Sequence, residues 1–225
     1  MTRPFIVAID GPSGAGKSTA ARRLAQRLGV PYVDTGAMYR AIGLMAKEAG
    51  IALPIEDPSA VVRLADDAAV ELVPDLAGVR VFVSGREVTR EIREPEISLY
   101  ASAVSAIPDV RRRLVAEQKR IGRERGAVME GRDIGTRVFP ETPHKFFLTA
   151  APRVRAERRA RELAERGTPR PVEDVLAEIE ARDIADSTRA DSPLTLSDGY
   201  AVIDTTGLGV PEVVAEMERR IRSAG

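Results

Sequence analysis

The chain has 225 residues, which suits one large domain or a core domain that carries inserts. Hydrophobic residues make up 44% of it and charged residues 30%, which excludes global disorder, and the balance of 34 basic against 34 acidic side chains argues against a general nucleic-acid binder. The absence of cysteine excludes disulfides, thiolate metal sites and thiol catalysis, and we expect the one histidine, His144, to have an ordinary solvent-facing role.

The first apolar segment, Phe5–Ile9, predicts a strand buried on both faces, as in a parallel sheet. It is too short for the apolar region of a signal peptide, and no apolar run approaches ~18 residues, so we expect a cytoplasmic protein without a transmembrane helix. The glycine-rich residues 11–16 predict a loop. Apolar residues then recur at helical spacing from Lys17 to Leu28, and Gly29 is a suitable stop for that helix.

A short strand at Tyr32–Val33 and a helix over 37–49 come next, and the chain then changes character between residues 52 and 98. A short helix near 58–66 precedes a group of β-like runs with turn signals between them. The runs are Ala69–Val73, Val79–Val83 and Arg86–Val88, and the turn signals are at 75–78 and 84–85. This pattern predicts a small antiparallel unit set into an α/β chain.

The second half of the chain alternates buried strands with helices. The predicted strands are Ala127–Met129, Lys145–Thr149 and Ala201–Ile203. The predicted helices cover 96–104, 108–125, 153–166, 172–188 and 211–222. This alternation indicates a doubly wound α/β sheet.

A phosphate-binding loop is the most specific signal in the sequence. Residues 11–18, Gly-Pro-Ser-Gly-Ala-Gly-Lys-Ser, fit the pattern G-x-x-x-x-G-K-[ST] and lie between a predicted strand and a predicted helix. Backbone N–H groups and the helix N-terminus would cradle the phosphates, Lys17 would bridge the β- and γ-phosphates, and Ser18 would hold Mg²⁺. The residues expected to bind the triphosphate are Gly11, Pro12, Ser13, Gly14, Ala15, Gly16, Lys17, Ser18 and Thr19.

The loop alone does not name the reaction. The N-K-x-D motif of G proteins is absent, and the Ala127–Glu130 strand is a weak match to the acid-ended strand of motor-type ATPases. The length of the chain favours a small kinase. Two alternatives stay open: a kinase of another small acceptor, such as a different nucleotide or a metabolite hydroxyl, and a nucleotide-switched regulatory module that hydrolyses ATP slowly.

Three segments are candidates for holding an anionic acceptor, because arginine suits phosphate oxygens. Residues 34–40 follow the second strand, residues 130–133 follow a buried strand directly, and Arg182, Asp186 and Arg189 share one helical face. Each segment also has a purely structural interpretation. The first would be a helix cap with a solvated arginine, the second an internal salt bridge, and the third a surface ladder of ion pairs.

Taken together, these motifs resemble the bacterial cytidylate kinase family. The resemblance rests on GPSGAGKST at 11–19, DTGAMYR at 34–40, the β insert after residue 66, EGRDIGTRVFP at 130–140 and DSTR at 186–189, and it extends over residues 3–223. It implies transfer of the γ-phosphate from ATP to CMP or dCMP, with Mg²⁺, in pyrimidine nucleotide metabolism. Thr35 stands where serine is common in the family, and Glu130 stands where aspartate is also seen.

The family fold that the resemblance implies is a P-loop, doubly wound, five-stranded parallel sheet with a small antiparallel β insert and a helical lid. The core would comprise residues 1–36, 105–152 and 190–225, the CMP-binding insert residues 37–104, and the lid residues 153–189. We expect a monomer with small-molecule substrates and with neither a nucleic-acid nor a membrane partner.

The resemblance also assigns roles to individual residues. Arg40, Arg132 and Arg189 would grip the CMP phosphate, Thr35 would contact the substrate, and Arg182 with Asp186 would meet the ribose. Ser102, Arg111 and Asp133 would read the cytosine, although Ser105 and Arg112 are close rivals by spacing. Lid arginines Arg158 and Arg159 would close over the triphosphate, Asp34 would join Ser18 at the metal, and the catalytic charges would come from Lys17, Arg40, Arg132, Arg158 and Arg189.

Overall fold

The structure is a computed structural model that describes residues 4–75 and 78–223. Its strands are β1 (Ile6–Asp10), β2 (Tyr32–Asp34), β3 (Val70–Asp75), β4 (Gly78–Val83), β5 (Arg86–Glu87), β6 (Ala127–Gly131), β7 (His144–Thr149) and β8 (Tyr200–Asp204). Its α-helices are α1 (Lys17–Leu28), α2 (Thr35–Glu48), α3 (Pro58–Asp67), α4 (Pro95–Ser105), α5 (Pro108–Arg125), α6 (Pro152–Glu165), α7 (Val172–Thr188) and α8 (Val210–Ser223).

The central sheet is parallel, with five strands in the order β2-β6-β1-β7-β8. Every residue of β1 is buried, because helices cover both sides of the sheet near its middle. In the strand register Asp10 lies beside Gly131, and Asp34 lies beside Glu130. The carboxyl ends of β1, β2 and β6 therefore bring their polar residues to one edge, where doubly wound sheets bind ligands. The predicted fold class is confirmed.

Two apolar layers enclose the sheet. On one side α1 and α8 pack on the strands through a cluster that includes Leu24, Phe146 and Met217. On the other side Met129 and Phe139 belong to a cluster that includes a π-helical turn, Ile134–Val138. That turn begins two residues after β6, beyond Arg132 and Asp133, and was not predicted, because its apolar residues have neither the period of a strand nor that of a longer helix.

The insert is a small antiparallel sheet, β3-β4-β5, in which Leu72 lies opposite Val81. It shares a core with α2 and α4 that includes Ile42, Val81 and Ile97. The predicted turn over 75–78 includes residues 76–77, which lie outside the described residues. A 3₁₀ turn, Glu91–Arg93, was not predicted and leads from the insert into α4.

The helices α6 and α7 form an antiparallel hairpin with an apolar core of its own, made of Ala156, Ala160, Leu163, Val175 and Ile179. Their bounds agree with the predicted 153–166 and 172–188 to within one residue. In the described part of the chain, no helix is both long enough and apolar enough to cross a bilayer.

Two details differ from the sequence prediction. Helix α2 begins at Thr35 rather than residue 37, because the carboxylate of Asp34 caps it by accepting from the N–H of Ala37 at 3.0 Å. His144 is half-buried rather than solvent-facing, since its ring lies 5.1 Å from that of Phe5 in a tilted stack. Burial lowers the pKa of His144.

Candidate active site

One large cavity of about 1190 Å³ lies at the carboxyl edge of the central sheet, between the insert and the α6–α7 hairpin. The phosphate loop forms one end of it. The other end is formed by the starts of α2 and α5, the turn after β6, and α7. All three candidate acceptor segments therefore line the same cavity as the phosphate loop. The order of the motifs along the chain did not by itself require this arrangement.

The phosphate loop connects β1 to α1 and is held by close backbone packing. A Cβ at Gly11, where φ is +144°, would lie 2.0 Å from the carbonyl oxygen of Leu148. A Cβ at Gly14 would lie 2.9 Å from the Cβ of Arg155. Both positions therefore require glycine, which lets the loop fold tightly enough to turn its N–H groups toward a phosphate.

Lys17, the first residue of α1, is buried and donates from Nζ to the carbonyl oxygen of Pro12 at 2.7 Å. Burial, with the positive charge of Arg132, lowers the pKa of Lys17 to about 7. The nearby carboxylates of Glu130 and Asp10 act in the opposite direction but do not overcome the loss of solvation. The negative charge of an entering polyphosphate would stabilise the protonated form of Lys17 and raise its pKa again.

Two carboxylates lie beside the phosphate loop. Glu130, at the end of β6, accepts a hydrogen bond from the hydroxyl of Tyr32 and lies next to the hydroxyl of Ser18. Burial raises the pKa of Glu130, and the negative charge of Asp34 raises it further. The hydroxyl of Thr35 donates to the carbonyl oxygen of Glu130 at 2.7 Å, which fixes the end of β6 to the start of α2.

Asp34 has both carboxylate oxygens occupied by protein donors. One caps α2, and the other accepts from Nη2 of Arg93 at 2.9 Å. Burial opposes ionisation of Asp34, but the charges of Arg93 and Arg40 outweigh it and lower the pKa. The sequence analysis missed Arg93, because it comes from the 3₁₀ turn after the insert and reaches the site only through the tertiary fold.

The three arginines expected at the acceptor phosphate all line the cavity. Arg40 has no hydrogen-bond or ion-pair partner among the described residues. Burial lowers the pKa of Arg40, and the positive charges of nearby arginines lower it further, although Asp34 acts in the opposite direction. These arginines are Arg93, Arg159 and Arg132. Arg132 donates from Nε to Asp186 at 2.7 Å.

The third of these arginines, Arg189, is held by backbone oxygens. It donates to the carbonyl oxygens of Asp191, at 2.9 Å, and Ser192, and to the hydroxyl of Ser105 at 3.3 Å. Ser105, which was an alternative to Ser102 as the serine that contacts the cytosine, therefore already accepts a hydrogen bond from Arg189. Its own hydroxyl donates to the carbonyl oxygen of Ser102 at 2.8 Å.

Arg111 and Asp133 form a buried ion pair at the far end of the cavity. The guanidinium of Arg111 lies 5.5 Å from the centre of the Tyr39 ring, and its Nη1 donates to the carbonyl oxygen of Ser105 at 3.2 Å. The rival Arg112 lies on the surface and is paired with Asp109. Ser102 also lines the cavity. The geometry therefore brings Arg111, Asp133 and Ser102 together and leaves Arg112 outside.

Helix α7 contributes Arg182 and Asp186 to the cavity. Burial and the charge of Arg132 lower the pKa of Arg182 to about 10. Its Nε is buried and has no hydrogen-bond partner among the described residues. Burial of Asp186 is outweighed by the charges of Arg132 and Arg182, so its pKa is lowered and it stays ionised.

Most arginines of the predicted lid line the cavity, namely Arg158, Arg159, Arg161, Arg166 and Arg170. By contrast, Arg153 is exposed, and Arg155 is buried against the phosphate loop. Arg158 donates to the carbonyl oxygen of Thr205 and, at 3.0 Å, to its hydroxyl. Arg159 is paired with Glu162 at 3.1 Å. The bonds from Arg158 to Thr205 therefore tie α6 to the core.

The sequence analysis also missed Asp10, which is fully buried at the end of β1. Its carboxylate accepts from the N–H groups of Ile134 at 2.9 Å and Gly135 at 2.8 Å, and from the hydroxyl of Tyr200 at 2.6 Å. These bonds fix the turn that follows Arg132 and Asp133. An acidic residue directly before the phosphate loop was the available signal, but its partners lie 124 to 190 residues away.

Comparison with known proteins identifies one family. The cytidylate kinase family profile matches residues 7–223. A cytidylate kinase of Caldanaerobacter subterraneus subsp. tengcongensis is 49% identical over 216 residues, which cover 96% of this chain and 94% of that protein. A cytidylate kinase of Enterococcus faecalis is 46% identical over 219 residues, covering 97% and 96%.

A crystal structure of an uncharacterized protein from Eubacterium ventriosum covers 98% of this chain and 99% of its own, with a TM-score of 0.54 and 14% identity, which is a likeness of fold alone. The resemblance that the motifs indicate is confirmed by the matching profile and by relatives alignable over nearly the whole chain. The chain belongs to the cytidylate kinase family.

Proposed function

We propose that this chain transfers the γ-phosphate of ATP to CMP or dCMP, giving ADP and CDP or dCDP, in pyrimidine nucleotide metabolism. The observation that carries the proposal is a single cavity with a phosphate loop at one end and the Arg111–Asp133 pair at the other, with Arg40, Arg132 and Arg189 between them. We expect the two nucleotides to lie end to end in this cavity, which has a volume of about 1190 Å³.

The acceptor phosphate binds to Arg40, Arg132 and Arg189. Arg40 supplies a guanidinium that has no hydrogen-bond partner among the described residues, whereas Arg132 exchanges part of its contact with Asp186 for the phosphate. A phosphate oxygen of CMP attacks the γ-phosphorus of ATP, and the bond from that phosphorus to the β–γ bridging oxygen breaks, which releases ADP. Lys17, Arg158 and these arginines lower the barrier by neutralising the charge on the transferred group, as is usual in phosphoryl transfer.

The base binds at Arg111, Asp133 and Ser102. Cytosine presents an exocyclic amine beside the ring acceptors N3 and O2. The carboxylate of Asp133 and the hydroxyl of Ser102 accept from the amine, while Arg111 donates to a ring acceptor. Uracil inverts the pattern at two positions and would leave buried groups unpaired, which is the basis of discrimination between the two bases.

The ribose lies toward α7. Asp186 accepts from a ribose hydroxyl, and Arg182, which also lines the cavity, donates to the ribose. Thr35, whose own proton goes to the carbonyl of Glu130, contributes an acceptor oxygen to the substrate side of the cavity.

The donor set beside the phosphate loop fits Mg²⁺. Ser18, Glu130 and Asp34 supply only oxygen atoms, and burial with the negative charge of Asp34 raises the pKa of Glu130 despite the nearby Lys17, so a cation there would stabilise the ionised carboxylate. Among residues 4–75 and 78–223, no group of three or more His, Cys, Asp or Glu side chains is placed to hold a metal ion. Mg²⁺ at a nucleotide site takes ligands from substrate phosphates and water as well as from the protein. Ser18 would hold the ion directly, with Asp34 as a nearby charge. Bound Mg²⁺ would neutralise charge on the β- and γ-phosphates.

We further propose the domain division implied by the family: a core of 1–36, 105–152 and 190–225, a CMP-binding insert of 37–104 and a lid of 153–189. Arg159 moves from Glu162 to the triphosphate as the lid closes and excludes water. A cytoplasmic location, a monomeric state and the absence of a nucleic-acid partner stay predictions.

The proposal is tested by identifying the products. ATP, Mg²⁺ and CMP are incubated with the protein and followed by phosphorus NMR. New diphosphate signals in equal amounts from ADP and CDP, with no inorganic phosphate, are expected. Inorganic phosphate that forms at the same rate with and without CMP would instead support the nucleotide-switched regulatory module.

A further inference from the structure

Arg155 makes a bridge that none of the roles above includes. It lies in the first turn of α6 and is 3% exposed. Its Nε donates to the carbonyl oxygen of Ala150 at 2.9 Å, its Nη1 to that of Ser13 at 3.1 Å, and its Nη2 to the carboxylate of Asp183 at 2.6 Å. One planar guanidinium therefore joins the phosphate loop to α7.

The loop end of this bridge is tightly packed. A Cβ at Gly14 would lie 2.9 Å from the Cβ of Arg155 and 3.1 Å from its carbonyl oxygen. The phosphate loop thus packs directly on the first turn of α6. A shift in the loop on binding a triphosphate would be transmitted to Arg155, because close-packed groups do not move independently.

The other end of the bridge lies among the acceptor contacts. Asp183 directly follows Arg182 and is three residues before Asp186, which pairs with Arg132 at 2.7 Å. All of these residues belong to one uninterrupted helix, so a contact that fixes Asp183 also fixes the rotation of its neighbours about the helix axis. The Oδ1 of Asp183 and the Nε of Arg182 are buried without hydrogen-bond partners among the described residues, so the bond from Arg155 is the one that holds the Asp183 carboxylate in this part of the structure.

We propose that Arg155 is a positioning residue that couples the two substrate sites, so that binding of the triphosphate and of the monophosphate strengthen each other. The inference rests on the proposed function. When a triphosphate orders the phosphate loop, the carbonyl of Ser13 holds the guanidinium of Arg155 in place. Arg155 in turn holds the carboxylate of Asp183. The neighbouring side chains Arg182 and Asp186 are then already ordered when the second ligand binds. The second ligand loses less conformational entropy on binding, and by linkage the same factor acts in the reverse direction.

The test measures the Kd of an imido analogue of ATP with Mg²⁺, with and without saturating CMP, by isothermal titration calorimetry. In the unaltered protein CMP should tighten binding of the analogue by about 5-fold or more. Asp183→Asn keeps the size of the side chain but removes its charge. Arg155→Lys keeps the charge but cannot reach Ser13 and Asp183 at the same time. Both variants should lose the effect of CMP to within about 2-fold, while each still binds the analogue alone.

The matched control is Glu173→Gln. Glu173 pairs with Arg153 at 3.5 Å and also joins α6 to α7, but on the surface and away from the loop. This variant should retain the full effect of CMP. Equal affinity with and without CMP in the unaltered protein, or an unchanged effect in both Asp183→Asn and Arg155→Lys, would overturn the proposal.

A separate titration with CMP alone distinguishes this result from a failure of the proposed function. If the unaltered protein does not bind CMP, the proposed function fails and the coupling proposal fails with it. If CMP binds normally and the coupling does not depend on Arg155 and Asp183, only the coupling proposal fails.

Discussion

Arg132 and Asp186 form an ion pair across the active-site cavity, with Nε of the arginine 2.7 Å from Oδ2 of the carboxylate. Arg132 follows β6 and Asp186 lies in α7, so the pair connects the core to the hairpin that we assign to the lid. Burial lowers the pKa of Arg132, but the charge of Asp186 outweighs burial and leaves that pKa raised. The arginine is therefore charged and already oriented when an acceptor phosphate enters.

Replacement of Arg132 by alanine removes this charge from the space between donor and acceptor. We expect kcat/KM for CMP to fall by ~10²-fold or more, because a charge-assisted contact to the transferred or accepting phosphate is lost. Affinity for ATP, which rests on the phosphate loop, should change little. Arg120→Ala removes an exposed arginine that is paired with Glu117 and Glu124 on its own helix, and it serves as the control. Unchanged turnover in Arg132→Ala would remove that arginine from the site.

Asp133→Asn tests the reading of the base. The amide differs from the carboxylate in its ability to donate, so it suits the carbonyl of uracil better than the amine of cytosine. The ratio of kcat/KM for CMP over UMP should fall by ~10-fold or more, with little change in ATP affinity. Asp109→Asn is the matched control, since Asp109 forms an ion pair with Arg112 on the surface of the same helix that carries Arg111. An unchanged ratio in Asp133→Asn contradicts its proposed role.

Lys17 gives the site a pH dependence. Because burial lowers its pKa to about 7, most of the free protein carries a neutral Lys17 at pH 8. The triphosphate binds the charged form and raises this pKa again, so binding at pH 8 takes up a proton, and affinity falls as pH rises above 7. Calorimetry in buffers of different ionisation enthalpy counts that proton. In Lys17→Arg, where the charge does not titrate, the uptake should vanish. No uptake by the unaltered protein at pH 8 contradicts this account.

The sequence was sufficient for those parts of the molecule that depend on local pattern. The loop at 11–18 and the strands and helices around it follow from short-range periodicity and glycine placement, and the structure confirms them. Arg111 and Asp133 form an ion pair in the cavity. Asp133 belongs to the segment at 130–140 that carries the family resemblance, whereas Arg111 was chosen by spacing. Spacing alone could not decide between Arg111 and Arg112, and only the rotation of α5 shows which one faces inward.

The residues that were missed are those whose partners are distant along the chain. Arg93 reaches Asp34 across 59 residues, and Arg155 reaches Ser13 across 142. Neither belongs to a motif with a fixed spacing to its partner. A composition rich in arginine also hides such residues, since many of the others, such as Arg27 and Arg219, form exposed ion pairs with glutamates.

Asp10 provides a test of one such distant contact. Asn at this position keeps the shape but offers one acceptor oxygen in place of two, so at least one of the buried donors from Ile134, Gly135 and Tyr200 loses its partner. We expect Asp10→Asn to lower the free energy of unfolding by about 1–3 kcal/mol, measured by urea denaturation. Turnover of CMP should fall as well, because the turn that follows Arg132 and Asp133 is no longer held.

Asp204→Asn is the control for that variant. Asp204 is an exposed carboxylate at the end of β8 and accepts from Thr206 at 2.6 Å, so its replacement should leave both stability and turnover nearly unchanged. Equal stability of Asp10→Asn and the unaltered protein would contradict the role given to the buried carboxylate.

The central claim is that the cavity accepts a cytosine monophosphate. The most direct test is the rate of ADP formation from ATP and Mg²⁺ with CMP, dCMP, UMP, AMP, GMP and dTMP in parallel. The account predicts that CMP and dCMP stimulate ADP formation strongly, with kcat/KM ~10²-fold or more above the other monophosphates. Stimulation that is equal across the panel, or led by UMP, would contradict the base contacts at Arg111 and Asp133. No stimulation by any of them would contradict the proposed reaction itself.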